Sequence, residues 1–206
     1  MYKKPIIVFE GIEGSGKSLH INHVAAYLKK RDRKHIKIRE PGGSRNSEKI
    51  RKLILSNKSN FDKITDLLLY LAARNENIVN IIKKNIGKKI ILIDRFTDST
   101  LAYQHYGMGA DINFINTINN FLLKNIKVSF TFLNLVSPKN MKLRLKQRKK
   151  LNRYDKFKTL FYKKVQAGFI KISNKNKNKK KYLKINSNLN ISINEKIIIK
   201  KINKLI

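Results

Sequence analysis

The chain has 206 residues, enough to bury one substantial core and too few for two ordinary domains, so one domain over residues 1–206 is expected. Apolar residues make up 41% in short punctuated runs, which excludes a disordered chain, and no run approaches the roughly 18 apolar residues that span a membrane. Cysteine is absent, which excludes disulfides and thiolate metal sites, and 47 Lys and Arg against 13 Asp and Glu leave a formal net charge of +34.

Such a charge is the electrostatic footprint of a nucleic-acid binder. The surplus is mostly lysine, accompanied by asparagine and isoleucine, as in "KINSNLNISINEKIIIKKINKLI". These three residues share A/T-rich codons, and a low-GC coding bias, the favoured reading, gives the same excess with no partner selected. No specific nucleic acid is then expected, only a solvated basic surface whose pull on polyanions fades in salt. The basic N-terminus runs into an apolar stretch that ends at Glu10 without a small-residue cleavage site, so a cytoplasmic protein without a signal peptide is expected.

In chain order, "PIIVFE" (5–10) reads as a strand buried on both faces. "GIEGSGKS" then matches G-x-x-x-x-G-K-[ST] from Gly11 to Ser18 and leads into a predicted helix, Lys17 to Lys30, the context that marks a phosphate loop. Gly11, Gly14 and Gly16 let the backbone turn tightly, so that the loop, including Ile12, Glu13 and Ser15, offers N–H groups to phosphates. Lys17 supplies a point charge and Ser18 a hydroxyl for Mg²⁺. A glycine-rich turn with a surface lysine would leave the adjacent Lys17 and Ser18 unexplained. Two acids, Glu10 and Glu13, stand beside or inside this loop, where phosphates should go.

"HIKIRE" (35–40) is a second strand, broken by "PGG" before an amphipathic stretch, Glu48 to Leu55, and a long helix from about Asp62 to Lys84. "KKIILID" (88–94) is the clearest buried strand. Asp94 at its end fits the acid that manages a metal beside a phosphate loop, and Arg95 adds a cation for phosphate at the same strand end. A lone strand-end Asp is more often structural; its coincidence with the loop reverses that. "KVSFTFLNL" (127–135) and "KYLKINS" (181–187) are the fourth and fifth strands, with helices Asn113 to Lys124, Pro138 to Lys149, Lys156 to Ile172 and Asn194 to Leu205. This alternation implies right-handed βαβ crossovers, an α/β fold with about five parallel strands covered on both sides, and sites at the carboxyl ends of the strands. "SNKNKNKKK", Ser173 to Lys181, reads as a solvated surface loop rather than a nucleic-acid-binding tail.

The guanine-reading N-K-x-D element is absent and no D-x-x-G follows Asp94, which disfavours a switch GTPase. "REPGG" (39–43), Arg51, and Tyr70 with Arg74 four residues apart converge on a second anion. An aromatic and an arginine one turn apart can stack a base and grip a phosphate. A core tyrosine with a surface arginine is the competing reading, and these two residues alone do not choose.

Together "FEGIEGSGKS", "REPGGS", "YLAAR", "DRFTDSTLAYQ" and "RLKQRKKLNRYD" resemble the thymidylate kinase family, in order from about Ile6 to Phe169. The resemblance implies a three-layer P-loop nucleotide kinase fold, a mobile lid at about 144–156, a homodimer, and transfer of the ATP γ-phosphate to dTMP with Mg²⁺ held by Ser18 and Asp94. It implies ATP on Gly11, Ile12, Glu13, Gly14, Ser15, Gly16, Lys17 and Ser18. It also implies that Tyr70 stacks on thymine, Arg74 and Gln104 bond its polar edge, Thr100 lies near the base and Tyr103 lies under the deoxyribose. Glu13 would hold the sugar hydroxyl, and Arg51 and Arg95 the acceptor phosphate. The family's catalytic arginine lies in the phosphate loop or in the lid. This loop has none, so the catalytic set implied is Lys17 and Arg95 with Arg148 and Arg153, chosen among Arg144, Arg148 and Arg153. Met108 stands where an arginine is often found, Phe169 where a tyrosine is usual, and "KINSN" lacks a common acid; these departures touch acceptor and adenine binding. A kinase for another nucleotide and a non-enzymatic nucleic-acid-binding P-loop protein are the rival readings.

Overall fold

The structure is a computed structural model that describes residues 4–175 and 180–206. Five parallel strands, β1 (Ile6–Glu10), β2 (His35–Arg39), β3 (Ile90–Asp94), β4 (Phe130–Leu135) and β5 (Tyr182–Asn186), lie in the order β2-β3-β1-β4-β5. The sequence fits each place. The central strands β1 and β3 are almost continuously apolar and buried, as a sheet covered on both faces requires. The edge strands "HIKIR" and "YLKIN" carry lysines where one face meets water.

One face of the sheet, with Ile7, Phe9, Leu92 and Phe132, packs on α1 (Lys17–Lys30) and α9 (Ile191–Asn203) through Val24, Leu28, Ile198 and Ile202. The opposite face, with Ile6, Val8, Ile91 and Ile93, packs on Ile78, Ile82 and Phe96. Helix, sheet and helix give the three layers expected. Register places Phe9 opposite Asp94 and Glu10 opposite Leu133, so the carboxyl ends of β1, β3 and β4 open on one edge.

Several boundaries differ from those expected, for local reasons. Helix α2 (Arg45–Leu55) begins before Glu48, because the Ser44 side chain accepts from Ser47 N and caps the first turn. The long segment after Asp62 is α3 (Lys63–Asn77), a π-helical turn (Ile78–Ile82) and α4 (Lys83–Asn85), in unbroken succession. After β3 the chain forms α5 (Thr97–Thr100) and a π-helical stretch, Leu101–Gly107, a helix the sequence pattern had not suggested. Helix α6 spans Ile112–Leu123. Helix α7 (Pro138–Lys146) stops short of Lys149, a 3₁₀ turn follows at Arg153–Lys156, and α8 is Thr159–Asn174. Ser173 and Asn174 thus close α8 rather than open a loop; residues 176–179 of the expected loop lie outside the described residues.

Candidate active site

The phosphate loop grows directly from β1. Gly11 has φ +140°, and a Cβ there would collide with the carbonyl oxygen of Asn134 on β4, so only glycine lets the loop leave the sheet at this point. The loop ends at the N-terminus of α1, whose unpaired N–H groups suit an anion. Lys17, 6% exposed, donates from Nζ to Ile12 O at 2.8 Å and to Ser15 Oγ at 3.4 Å. Burial, with Arg95 nearby, lowers its pKa to about 7. The Ser18 hydroxyl donates to Asp94 Oδ2 at 2.8 Å, joining the end of the loop to the end of β3.

The two acids have separate tasks. Glu10 is fully buried and accepts from Phe96 N (2.8 Å), Ser99 N (3.2 Å) and Ser99 Oγ (2.6 Å), fixing the turn that carries Arg95. Burial and the neighbouring Asp98 raise its pKa to about 7. Glu13 accepts from Arg95 Nη2 at 2.9 Å and from the Tyr103 hydroxyl. Arg95, in a left-handed backbone conformation (φ +68°), also donates to Gly11 O at 2.9 Å and lies 5.0 Å from the Tyr103 ring centroid.

A cavity of about 210 Å³ opens at these strand ends. Its walls bring together all eight residues assigned to the acceptor, Glu13, Arg51, Tyr70, Arg74, Arg95, Thr100, Tyr103 and Gln104, with Lys17, Ser18 and Asp94 at its phosphate-loop end. Arg74 is no surface arginine. It is 2% exposed, with Nε on Glu40 Oε2 and Nη1 on Asn119 Oδ1, both at 2.8 Å. The Thr100 hydroxyl is buried against the cavity with no hydrogen-bond partner among the described residues. Tyr103 and Gln104 sit on the π-helical stretch, and such widened turns recur at functional sites.

Of the three arginines in the segment expected to form a lid, Arg148 lies on the cavity wall and pairs with Asp155. Arg153 does not reach the wall; it pairs with Asp66 and donates from Nε to Ile54 O at 3.1 Å. Arg144 donates to Gly14 O at 2.9 Å and Ser187 O at 2.6 Å. Phe169 is buried edge-on to Tyr103, and Met108 packs on the same apolar cluster, so both departures from the family pattern serve the core.

Sequence reasoning missed Glu40, Asn119, Asp66 and Tyr154. Glu40 sits inside "REPGG", and Asp66 stands one helical turn before Tyr70, so their positions carried a signal. Asn119 carried none.

Residues 9–197 match the family model described as Thymidylate kinase. The chain belongs to the thymidylate kinase family. It is 39% identical over 168 residues to the thymidylate kinase of Thermosipho africanus, covering 81% of this chain and 83% of that one. With the thymidylate kinase of a Sulfurihydrogenibium species it shares 40% identity over 169 residues, 81% of this chain and 82% of the other. The crystal structure of thymidylate kinase from Ehrlichia chaffeensis superposes with a TM-score of 0.78 at 30% identity, over 97% of this chain and 98% of that one. A thymidylate kinase is a phosphotransferase, which sets aside the non-enzymatic reading, and the five-stranded parallel sheet with its helices is the P-loop kinase fold. Among the described residues no helix is long and apolar enough to cross a membrane.

Proposed function

We propose that this chain transfers the γ-phosphate of ATP to dTMP, giving ADP and dTDP for DNA precursor synthesis. The observation that carries this reading is the single cavity in which the eight acceptor residues meet Lys17 and the Ser18–Asp94 pair. Tyr70 offers a ring face to thymine, and Arg74, Gln104 and the unsatisfied Thr100 hydroxyl offer polar partners to its edge. Glu13, held by Arg95 and Tyr103, takes the deoxyribose hydroxyl, and Arg51 and Arg95 take the acceptor phosphate.

An acceptor phosphate with a second pKa near 6 is largely a dianion at neutral pH, so its oxygen attacks the γ-phosphorus without a general base. The bond from that phosphorus to the bridging oxygen breaks, and ADP leaves with the electron pair. The chain's contribution is positioning and charge. Lys17 and Arg95 hold the phosphates in line, and Arg148, the lid arginine on the cavity wall, meets the charge that spreads over the transferring group; Arg153 holds the lid. The Ser18 hydroxyl and Asp94 carboxylate are hard oxygen donors at one point, which fits Mg²⁺ completed by phosphate oxygens, and no group of three or more His, Cys, Asp or Glu competes among the described residues. Mg²⁺ when bound neutralises phosphate charge.

One domain with a mobile lid at about 144–156, in a cytoplasmic homodimer, completes the reading. Exposed Ile64 and Leu68 on α3 and Phe114 and Phe121 on α6, two helices that pack on each other, are apolar side chains of the kind a dimer interface covers. The test is ADP release with ATP, Mg²⁺ and a panel of dTMP, dUMP, dCMP, dGMP, AMP, UMP and thymidine. Wild type should prefer dTMP, Glu13→Ala should relax that preference, and Arg148→Ala should slow turnover roughly 10²–10³-fold. Acceptor-independent hydrolysis, or preference for a purine or a free nucleoside, would overturn the assignment.

A further inference from the structure

Asp66 belongs neither to the phosphate loop nor to the acceptor residues, yet its side chain is almost completely buried, an expensive place for a carboxylate that does nothing. It stands on α3 one turn before Tyr70, so the two share a helix face. Both of its oxygens are taken by the lid turn: Arg153 pairs with Oδ1 and the Tyr154 hydroxyl donates to Oδ2. Two further contacts seat the same lid segment on the neighbouring α2 region, Arg153 Nε to Ile54 O at 3.1 Å and Asn57 Nδ2 to Leu151 O at 3.0 Å.

Those contacts set two things in the cavity at once. Tyr154, 3% exposed, forms part of the cavity wall, edge-on to Tyr70 and to Tyr103 with ring centroids 5.9 Å away in each case. Its hydroxyl also meets Gln104 Nε2 at 3.4 Å. Asp155, the next residue, caps the lid turn through Asn152 and pairs with Arg148. The Asp66 carboxylate therefore reaches an acceptor wall through one residue and the cavity arginine through the next.

We infer that Asp66 is a positioning residue that latches the lid turn to the acceptor helix, so that Tyr154 closes the acceptor pocket in the same movement that brings Arg148 to the phosphates. The inference rests on the dTMP kinase reading for the identity of the acceptor. Tyr154 is then a lid-borne specificity residue, and Arg153 acts through Asp66 rather than on the reacting phosphates.

Steady-state kinetics of the full chain test this, with kcat, KM for dTMP and KM for ATP measured separately on Asp66→Asn, Tyr154→Phe, Arg153→Gln and the Asp66→Asn/Arg153→Gln double variant. The expected result for Asp66→Asn is a rise of about tenfold in KM for dTMP and a fall in kcat, while KM for ATP moves less than about twofold. Tyr154→Phe, which keeps the ring and loses the hydroxyl, should show the same split more weakly. The double variant should lose little more than the worse single one, because both changes open the same contact. Multiplying losses would show Arg153 acting independently on the phosphates and would overturn the latch. So would an unchanged KM for dTMP, or a rise in both KM values in step with a lower Tm, which is mere destabilisation. Should Asp66→Asn fail to fold, Tyr154→Phe and Arg153→Gln carry the same test from the lid side. A wild type that ignores dTMP would remove the functional reading itself; an active wild type matched by its latch variants would remove only the latch.

Discussion

The Glu10 carboxylate accepts the backbone N–H of Phe96 at 2.8 Å and so ties the end of β1 to the residue that follows Arg95. Burial, with Asp98 beside it, raises the pKa of Glu10 from an ordinary 4.5 to about 7. Between those values the folded chain keeps a proton that the unfolded chain has released, so the stability due to this group falls as pH rises through that window. Glu10→Gln copies the protonated form, with an oxygen for the two N–H groups and an amide for Ser99 Oγ. Thermal melts from pH 4.5 to 8 should show the variant gaining on wild type as pH climbs, and a pH-independent difference would contradict the account.

Lys17 offers a second pH signature. Its amine, lowered to about 7 by burial and then by Arg95, is mostly neutral at pH 8 in the free enzyme. A polyphosphate set beside it favours the ammonium, so ATP binding at pH 8 should take up close to ~1 proton per site. Calorimetry in buffers of different ionisation heat reads this directly. Lys17→Met should bind weakly without the uptake, and equal uptake in both proteins would assign the proton to another group.

The Glu40–Arg74 pair is buried at both ends, 5% and 2% exposed, and its guanidinium faces the acceptor cavity. Glu40→Ala leaves that charge without its carboxylate, which should destabilise the fold by about 3–5 kcal/mol in urea titration. Glu40→Gln, which retains an acceptor for Nε, should lose less and keep measurable dTMP binding. An alanine variant within about 1 kcal/mol of wild type would mean that Arg74 finds another partner or water.

Legibility in the sequence followed the length scale of each feature. The strands and the phosphate loop were readable because their signals are local: "IILID" is continuously apolar, and glycine spacing marks the turn. Arg51, Tyr70 and Arg74 pointed to a second anion from the residues alone, but the roles proposed for them, and the addition of Thr100, Tyr103 and Gln104, came only through the family resemblance, since these residues come from separate elements that no periodicity brings together. The Arg74 environment needed Glu40 and Asn119, 34 and 45 residues away, and the Asp66 contacts cross 87 and 88 residues. The π-helical stretch went unseen because "LAYQHYG" has neither a helical apolar stripe nor a strand alternation. It packs closely against α8, which is far from it in sequence.

A Cβ on Gly168 of α8 would lie 2.6 Å from Tyr106 Cδ2 and 2.8 Å from Tyr106 Cβ, so α8 and the π-helical stretch approach as closely as glycine allows. In an exposed helix Gly→Ala stabilises by about 1 kcal/mol. Here overpacking opposes it with about 1–3 kcal/mol. The clash decides, because it involves Tyr106 Cβ, which cannot swing aside as a ring edge can, so the backbone of the π-helical stretch must move. Tyr103 and Gln104 lie on that stretch. Gly168→Ala should therefore lower Tm and raise KM for dTMP several-fold while KM for ATP stays near its wild-type value. Unchanged Tm and KM would mean that Tyr106 rotates out of the way and that the stretch is held by its other contacts, the Glu13–Tyr103 bond first among them.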